Sequence, residues 1–135
     1  MIGRARTVAF HADVTVARIQ PVGHEAALAQ LEVLIDLYDR GMREPLPLSC
    51  DASAAYVEGG VAAADKAWTS TFDYPKEDHQ PEHLLVHGGE IALSDLLSRA
   101  PSADEGWYPD EPSRFGVYAR RLWDGLLARE EIGDR

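Results

Sequence analysis

The stretch LAQLEVLIDLYDRGMREPLPL, Leu28 to Leu48, constrains the fold more than any other part of the chain. Leu28, Leu31, Leu34, Ile35 and Tyr38 recur at steps of three and four, the spacing that lines one face of a helix with apolar side chains. Such a face demands a covering surface. The opposite face is charged: Asp36 precedes Arg40 by four and Asp39 precedes Arg43 by four, the favourable acid-first order for ion pairs along a helix. The pattern predicts a helix from about Glu25 to Arg40, stopped at Gly41. Pro45 and Pro47 then enforce an extended strap whose Leu46 and Leu48 are placed to plug apolar surface. Nothing in this element is reactive, so it organises packing.

Upstream, residues 6–19 (RTVAFHADVTVARI) alternate as strands do, with Val14 and Val16 on one face and Thr15 and Ala17 on the other, ending at Pro21 and Gly23. Two strands alone are marginal in water, so this hairpin packs on the helices or belongs to a larger sheet. Downstream of the strap, Ser49 or Asp51 can cap a short helix containing Ala52, Ala55 and Tyr56 that closes at Gly59 and Gly60. Val61, Ala64, Trp68 and Phe72 then form the stripe of a helix expected to lie against the first one. Residues 73–82, with two prolines, read as an exposed loop. Leu84, Leu85 and Val86 form a short element before Gly88 and Gly89, Ser94 caps a brief LSDLLSR helix, and a second long loop runs from Pro101 to Pro112. The last helix starts at Pro112 and Ser113 and carries Phe115, Tyr118, Leu122 and Leu126, widened by Trp123 and Leu127. The closing EEIGDR reads as frayed.

These elements define one α+β domain over residues 1–135, mostly helical, with a strand segment at 1–22 and a body of four to five helices at 23–135. The expected core is Leu31, Ile35, Tyr38, Leu46, Trp68, Phe115, Tyr118, Leu122 and Trp123. No window approaches the length of a membrane span, and the arginine-bearing N-terminus lacks an apolar signal core, which makes a cytoplasmic location the default expectation. The single cysteine, Cys50, excludes an internal disulfide and reads as a small buried hydrophobe.

Catalytic chemistry finds little purchase. His79, Gln80, Pro81, Glu82 and His83 spell H-x-x-E-H, an inverted zinc-protease pattern that needs both histidines on one helical turn. Pro81 belongs at the start of a helix, which leaves His79 outside it. A metal-dependent nuclease of the restriction-enzyme type needs an acidic residue two places before a lysine. Lys66 has Ala64 there and Lys76 has Tyr74, so the triplet is missing. Neither lysine follows a glycine, which removes the phosphate-loop motif, and Ser49, Cys50 and Asp51 sit in no nucleophile elbow. No catalytic residue, metal or cofactor is therefore expected. A net charge of −10 argues against a free-standing nucleic-acid binder. Helical spacing assigns Trp68, Phe115, Tyr118 and Trp123 to the core. Trp107 and Tyr108, between Glu105 and Asp110, are either a lid over the core or an anchor for a partner. With Arg114, Arg120 and Arg121 they are the candidate contact residues, since forked cations and amphipathic aromatics concentrate interface energy.

Four blocks carry a family resemblance: LIDLYDRGMREPLPL (Leu34 to Leu48), SAAY (Ser53 to Tyr56), AWTSTF around Trp68, and RFGVYARRLWDGLL (Arg114 to Leu127). Together, over about Leu28 to Ala128, they resemble the C-terminal region of the exonuclease V gamma chain, RecC, of the actinobacterial kind. The resemblance implies a part of the RecBCD helicase-nuclease, which unwinds and degrades DNA ends and prepares double-strand breaks for recombination. It implies a scaffold subunit whose C-terminal domain looks like a restriction-enzyme-type nuclease fold that has lost its metal ligands and docks the alpha chain, RecD. The missing acidic-x-lysine triplet agrees with that. The helicase-like domains have no counterpart here, so strand splitting and hotspot reading do not carry over, and Asp51 stands where a basic residue is expected. The expected function is a non-catalytic assembly domain with the alpha and beta chains as partners. The alternative is a DNA-contacting module using the same arginines to guide a single strand, with DNA binding weak in isolation. A free strand edge in the hairpin also predicts self-association.

Overall fold

The computed structural model describes residues 7–10 and 15–134. The facing of Val14 lies outside them. Strands β1 (Thr7–Phe10) and β2 (Thr15–Ile19) pair antiparallel as the alternation predicted, with Thr7 opposite Arg18 and Phe10 opposite Thr15. A third strand, β3 (Glu130–Asp134), pairs antiparallel on the other side of β2, placing Ile19 opposite Glu130 and Thr15 opposite Asp134. The C-terminal segment is therefore part of a sheet, where the sequence reading had it frayed. Glu130, Glu131 and Asp134 give it no apolar alternation, and the ladder is held by backbone groups that periodicity does not register.

Helix α1 (His24–Gly41) matches the expected span, with Glu25 in its first turn and Arg40 in its last, each sign suited to its end of the helix dipole. Helix α2 (Asp51–Trp68) is broken at Gly60, whose φ of 75° lies in the region that glycine enters without a Cβ penalty. The two segments foreseen on either side of the glycine pair are thus present. Pro81 opens α3 (Pro81–His87) and leaves His79 outside, as its missing N–H requires. A short α4 (Leu93–Leu97) precedes α5 (Arg114–Leu127), whose N-cap Ser113 accepts from the Gly116 N–H at 3.0 Å.

The N-terminal half of α5 is the centre of the fold: Phe115, Gly116, Val117, Tyr118 and Ala119 are all buried. Helix α2 packs on it through Ala52 and Ala64, small enough to let the backbones approach, and Trp68, Leu93 and Leu96 complete the cluster. The Trp68 indole donates to the Ile91 carbonyl at 2.9 Å, which ties α2 to the segment before α4. Leu46 and Leu48 of the strap are half-buried, as are Leu122 and Trp123, whereas Trp68, Phe115 and Tyr118 are fully inside.

Several expectations are corrected. Leu31, Ile35 and Tyr38 are not core: they are 51, 58 and 70% exposed. Helix α1 turns Ala26, Gln30, Val33, Leu37 and Arg40 inward instead, because that face carries the polar groups that α5 and the loop before it engage. A Cβ on Gly125 of α5 would fall 2.3 Å from the Gln30 amide oxygen, so the two helices approach closely there. Helix α2 packs on α5, where the sequence reading set it against the first helix. Phe72 lies past the end of α2 and is exposed, as is Cys50, the N-cap residue of that helix. Ser94 sits inside the first turn of α4 and caps nothing; Ala92 is the N-cap residue.

The loop at 73–82 is anchored by a 3-10 turn (Glu77–His79) that buries Glu77 to 2% exposure. Its carboxylate accepts from the N–H groups of Asp51 and Ala52 at 2.7 and 2.8 Å, supplying from 25 or so residues away the cap that α2 lacks locally. Glu77→Ala is expected to cost about 1–2 kcal/mol, the usual loss for a helix cap, measured by denaturant unfolding.

Candidate partner interface

The segment before α5 is held by a network of arginines and carboxylates. A 3-10 turn at Ala103–Glu105 forms a capping box, with the Ser102 N–H donating to Glu105 at 2.8 Å. Glu105 is 2% exposed and also accepts from Arg114 Nε and Nη2 at 3.0 and 2.8 Å and from the Tyr118 hydroxyl at 2.7 Å. Burial pushes this carboxyl up, but the Arg114 guanidinium, the Ser102 amide and the Tyr118 hydroxyl outweigh it and hold the pKa at about 2. The same Arg114 Nη2 also donates to Glu44 at 2.7 Å, which fixes the base of the proline strap to the same point.

Trp107 lies beneath two guanidinium groups, with the Arg121 carbon 3.9 Å and the Arg40 carbon 4.7 Å from its ring centroid, and it meets Tyr118 edge-on at 5.5 Å. Arg40 bonds Asp36 and Asp104, and Arg121 shares Asp36 at 2.9 Å. Arg120 covers Tyr108 at 4.1 Å and pairs with Asp110 at 3.0 Å, with Asp124 more distant at 3.8 Å. The five candidate contact residues, Trp107, Tyr108, Arg114, Arg120 and Arg121, are thus brought together, and each is half-buried against intramolecular partners. Trp107 and Tyr108 are packed against Arg40, Arg120, Arg121 and Tyr118 of the same chain. Glu105 itself escaped the sequence reading, although Ser102-x-x-Glu105 is the spacing of a capping box.

The outward side of α1 is apolar. Leu28, Leu31, Leu34, Ile35, Tyr38 and Met42 are all exposed there. Where Leu34 turns toward the domain, it joins Ile19, Val22, Leu122, Trp123 and Leu126 around a groove of about 260 Å³ between β2, α1 and α5.

Among the described residues the histidines form no metal cage. His79 pairs through Nδ1 with Asp78 and through Nε2 with Glu90, both at 2.9 Å, while His83 and His87 stack on α3 beside Trp68. Among the described residues no three His, Cys, Asp or Glu side chains converge to hold a metal ion, and no helix is long and apolar enough to cross a membrane.

Fold and surface together define a mostly helical α+β domain with a three-stranded antiparallel sheet, in which Arg40, Arg114, Arg120 and Arg121 are held by carboxylates of the same chain and one apolar helix face is turned outward. Residues 5–60 match the model of the RecC C-terminal domain family. The chain is 33% identical over 109 residues to the RecBCD enzyme subunit RecC of Mycobacterium tuberculosis, covering 76% of this chain and 10% of that protein. It is 33% identical over 102 residues to RecC of Mycolicibacterium smegmatis, covering 72% of this chain and 9% of that protein. The chain therefore belongs to the C-terminal region of the RecC family and spans about a tenth of the length of these relatives. No solved structure matches it.

Two tests follow from the arginine network. Removing Arg114 strands a buried carboxylate, so Arg114→Ala is expected to cost about 3 kcal/mol or more, against less than about 1 kcal/mol for Arg120→Ala, whose partner Asp110 is solvated. Chemical denaturation distinguishes them. Because Glu105 titrates lower in the folded than in the unfolded chain, its contribution is complete above its ordinary value of 4.5 and is lost as pH falls toward about 2. Unfolding free energies across that window should fall less steeply for Glu105→Gln than for the parent chain.

Proposed function

We propose that this domain is a non-catalytic assembly module of a RecBCD-type helicase-nuclease acting in double-strand-break repair and recombination, and that it docks the alpha chain. The observation that carries the reading is the uncovered α1 face. Fully burying a leucine or isoleucine is worth about 1.5–3 kcal/mol. A helix that turns Asp36, Leu37 and Arg40 inward and leaves this row of large apolar side chains in water has kept that free energy available for association. The RecC relationship supplies the assembly, since the relatives are named as subunits of the RecBCD enzyme. Descent from a restriction-enzyme-type nuclease that lost its metal ligands belongs to the same proposal and rests on the missing acidic-x-lysine triplet.

The arginines weigh against the DNA-contacting alternative. Arg40, Arg114, Arg120 and Arg121 each already hold a carboxylate, and the chain carries a net charge of −10. Any partner contact by Trp107, Tyr108 and the three neighbouring arginines would use their outer edges, as a secondary part of the interface.

Coexpression with the alpha and beta chains of its own organism tests the proposal. The alpha chain is expected to co-purify with this domain and to stay bound in about 1 M salt, where surface charges are screened within roughly 3 Å. Failure to co-purify, or magnesium-dependent cleavage of linear DNA by the purified chain, would contradict it.

A further inference from the structure

Within the outward face of α1, Leu28, Leu31, Ile35, Tyr38 and Met42 follow steps of three, four, three and four, and they are 47 to 70% exposed. This is the seam spacing of a coiled coil, and it runs along roughly 20 Å of helix. One rim carries Glu25, Glu32 and Asp39 at intervals of seven. Asp39 is paired with Arg43, while Glu25 and Glu32 enter no ion pair among the described residues. The other rim carries Ala27, Leu34 and Gly41, small or apolar, with Leu34 opening onto the groove shared with Trp123 and Leu126.

We propose that this seam takes an amphipathic helix of a partner chain, apolar at three-four spacing, basic along the edge that meets Glu25 and Glu32, and carrying a bulky apolar side chain that enters the groove beside Leu34. The charge pattern selects this occupant. A second copy laid antiparallel would set acidic rim against acidic rim. Laid parallel, it would offer the glutamates only Ala27, Leu34 and Gly41, so neither arrangement supplies cations. The proposal rests on the assembly reading above and adds to it the surface used and the chemistry of the segment received.

The test uses two synthetic helices about three heptads long, identical in their leucine seam and differing only in lysine or glutamate along the rims, titrated against this chain at physiological salt. The lysine-rimmed helix is expected to bind at least about tenfold more tightly, the sum of a few rim pairs. Glu25→Lys with Glu32→Lys should reverse the preference, Ile35→Asp should abolish binding of both, and Glu58→Lys, an exposed charge change on α2, should alter nothing. Unchanged melting temperatures verify that these surface variants fold. Equal binding of the two helices, binding that survives Ile35→Asp, no binding of the lysine-rimmed helix, or a dimer of the parent chain that hides this face would each overturn the assignment. Co-purification separates the two claims. An alpha chain retained by Ile35→Asp removes this face from the interface and leaves the assembly reading standing, whereas an alpha chain that the parent chain never retains defeats that reading and leaves the peptide result intact.

Discussion

The ion pair between Glu105 and Arg114 is the constraint on which the arrangement of this domain depends. A carboxylate taken almost wholly out of water loses more solvation than one cation returns, unless its remaining lone pairs are also filled. Here they are filled from three places at once: the Ser102 amide in the loop, the Arg114 guanidinium at the start of α5 and the Tyr118 hydroxyl one turn on. Satisfying one buried charge thus fixes the loop, the orientation of the central helix and, through Glu44, the start of the proline strap. Helix α2 and α4 then have a rigid apolar surface to pack on, and Phe115 joins Trp68 and Leu96 in the core.

The same network decides which way α1 faces. Arg121, one turn beyond Tyr118 on α5, and Asp104, next to Glu105, reach the polar side of α1 through Asp36 and Arg40, with Trp107 seated beneath both guanidinium groups. Turning α1 over to bury its leucines would take Asp36 away from Arg121 and Arg40 away from Asp104. The packing that stabilises the domain internally is therefore what leaves its greasiest face outside. Energetics and proposed function meet at this point, because the apolar surface is uncovered as a consequence of charges satisfied elsewhere.

How much of this was legible in the sequence follows from what periodicity can carry. The span of α1, the break at the glycine pair, the helix start at Pro81 and the Ser113 cap were readable, since each depends on residues within a turn or two of one another. The direction of α1 was not. A three-four pattern says that a face is apolar, and it is silent on whether the covering surface lies in the same domain. Glu77 escaped because the amides it caps are distant in sequence, and β3 escaped because its pairing with β2 uses backbone groups common to every residue. The arginines among the candidate contact residues are engaged by nearby carboxylates, a pairing that spacing along the chain does not reveal. Composition shows how many acids and bases there are, and only the fold shows which ones meet.

Tyr38 and Met42 offer the most direct measurement of the central claim, since both are 70% exposed on the α1 seam and both side chains oxidise readily. Hydroxyl-radical footprinting of the chain alone and in the assembled complex should show both becoming protected on assembly, while Phe72, fully exposed away from the seam, keeps reacting as before. Oxidation of Tyr38 and Met42 at the same rate in both samples would contradict the account.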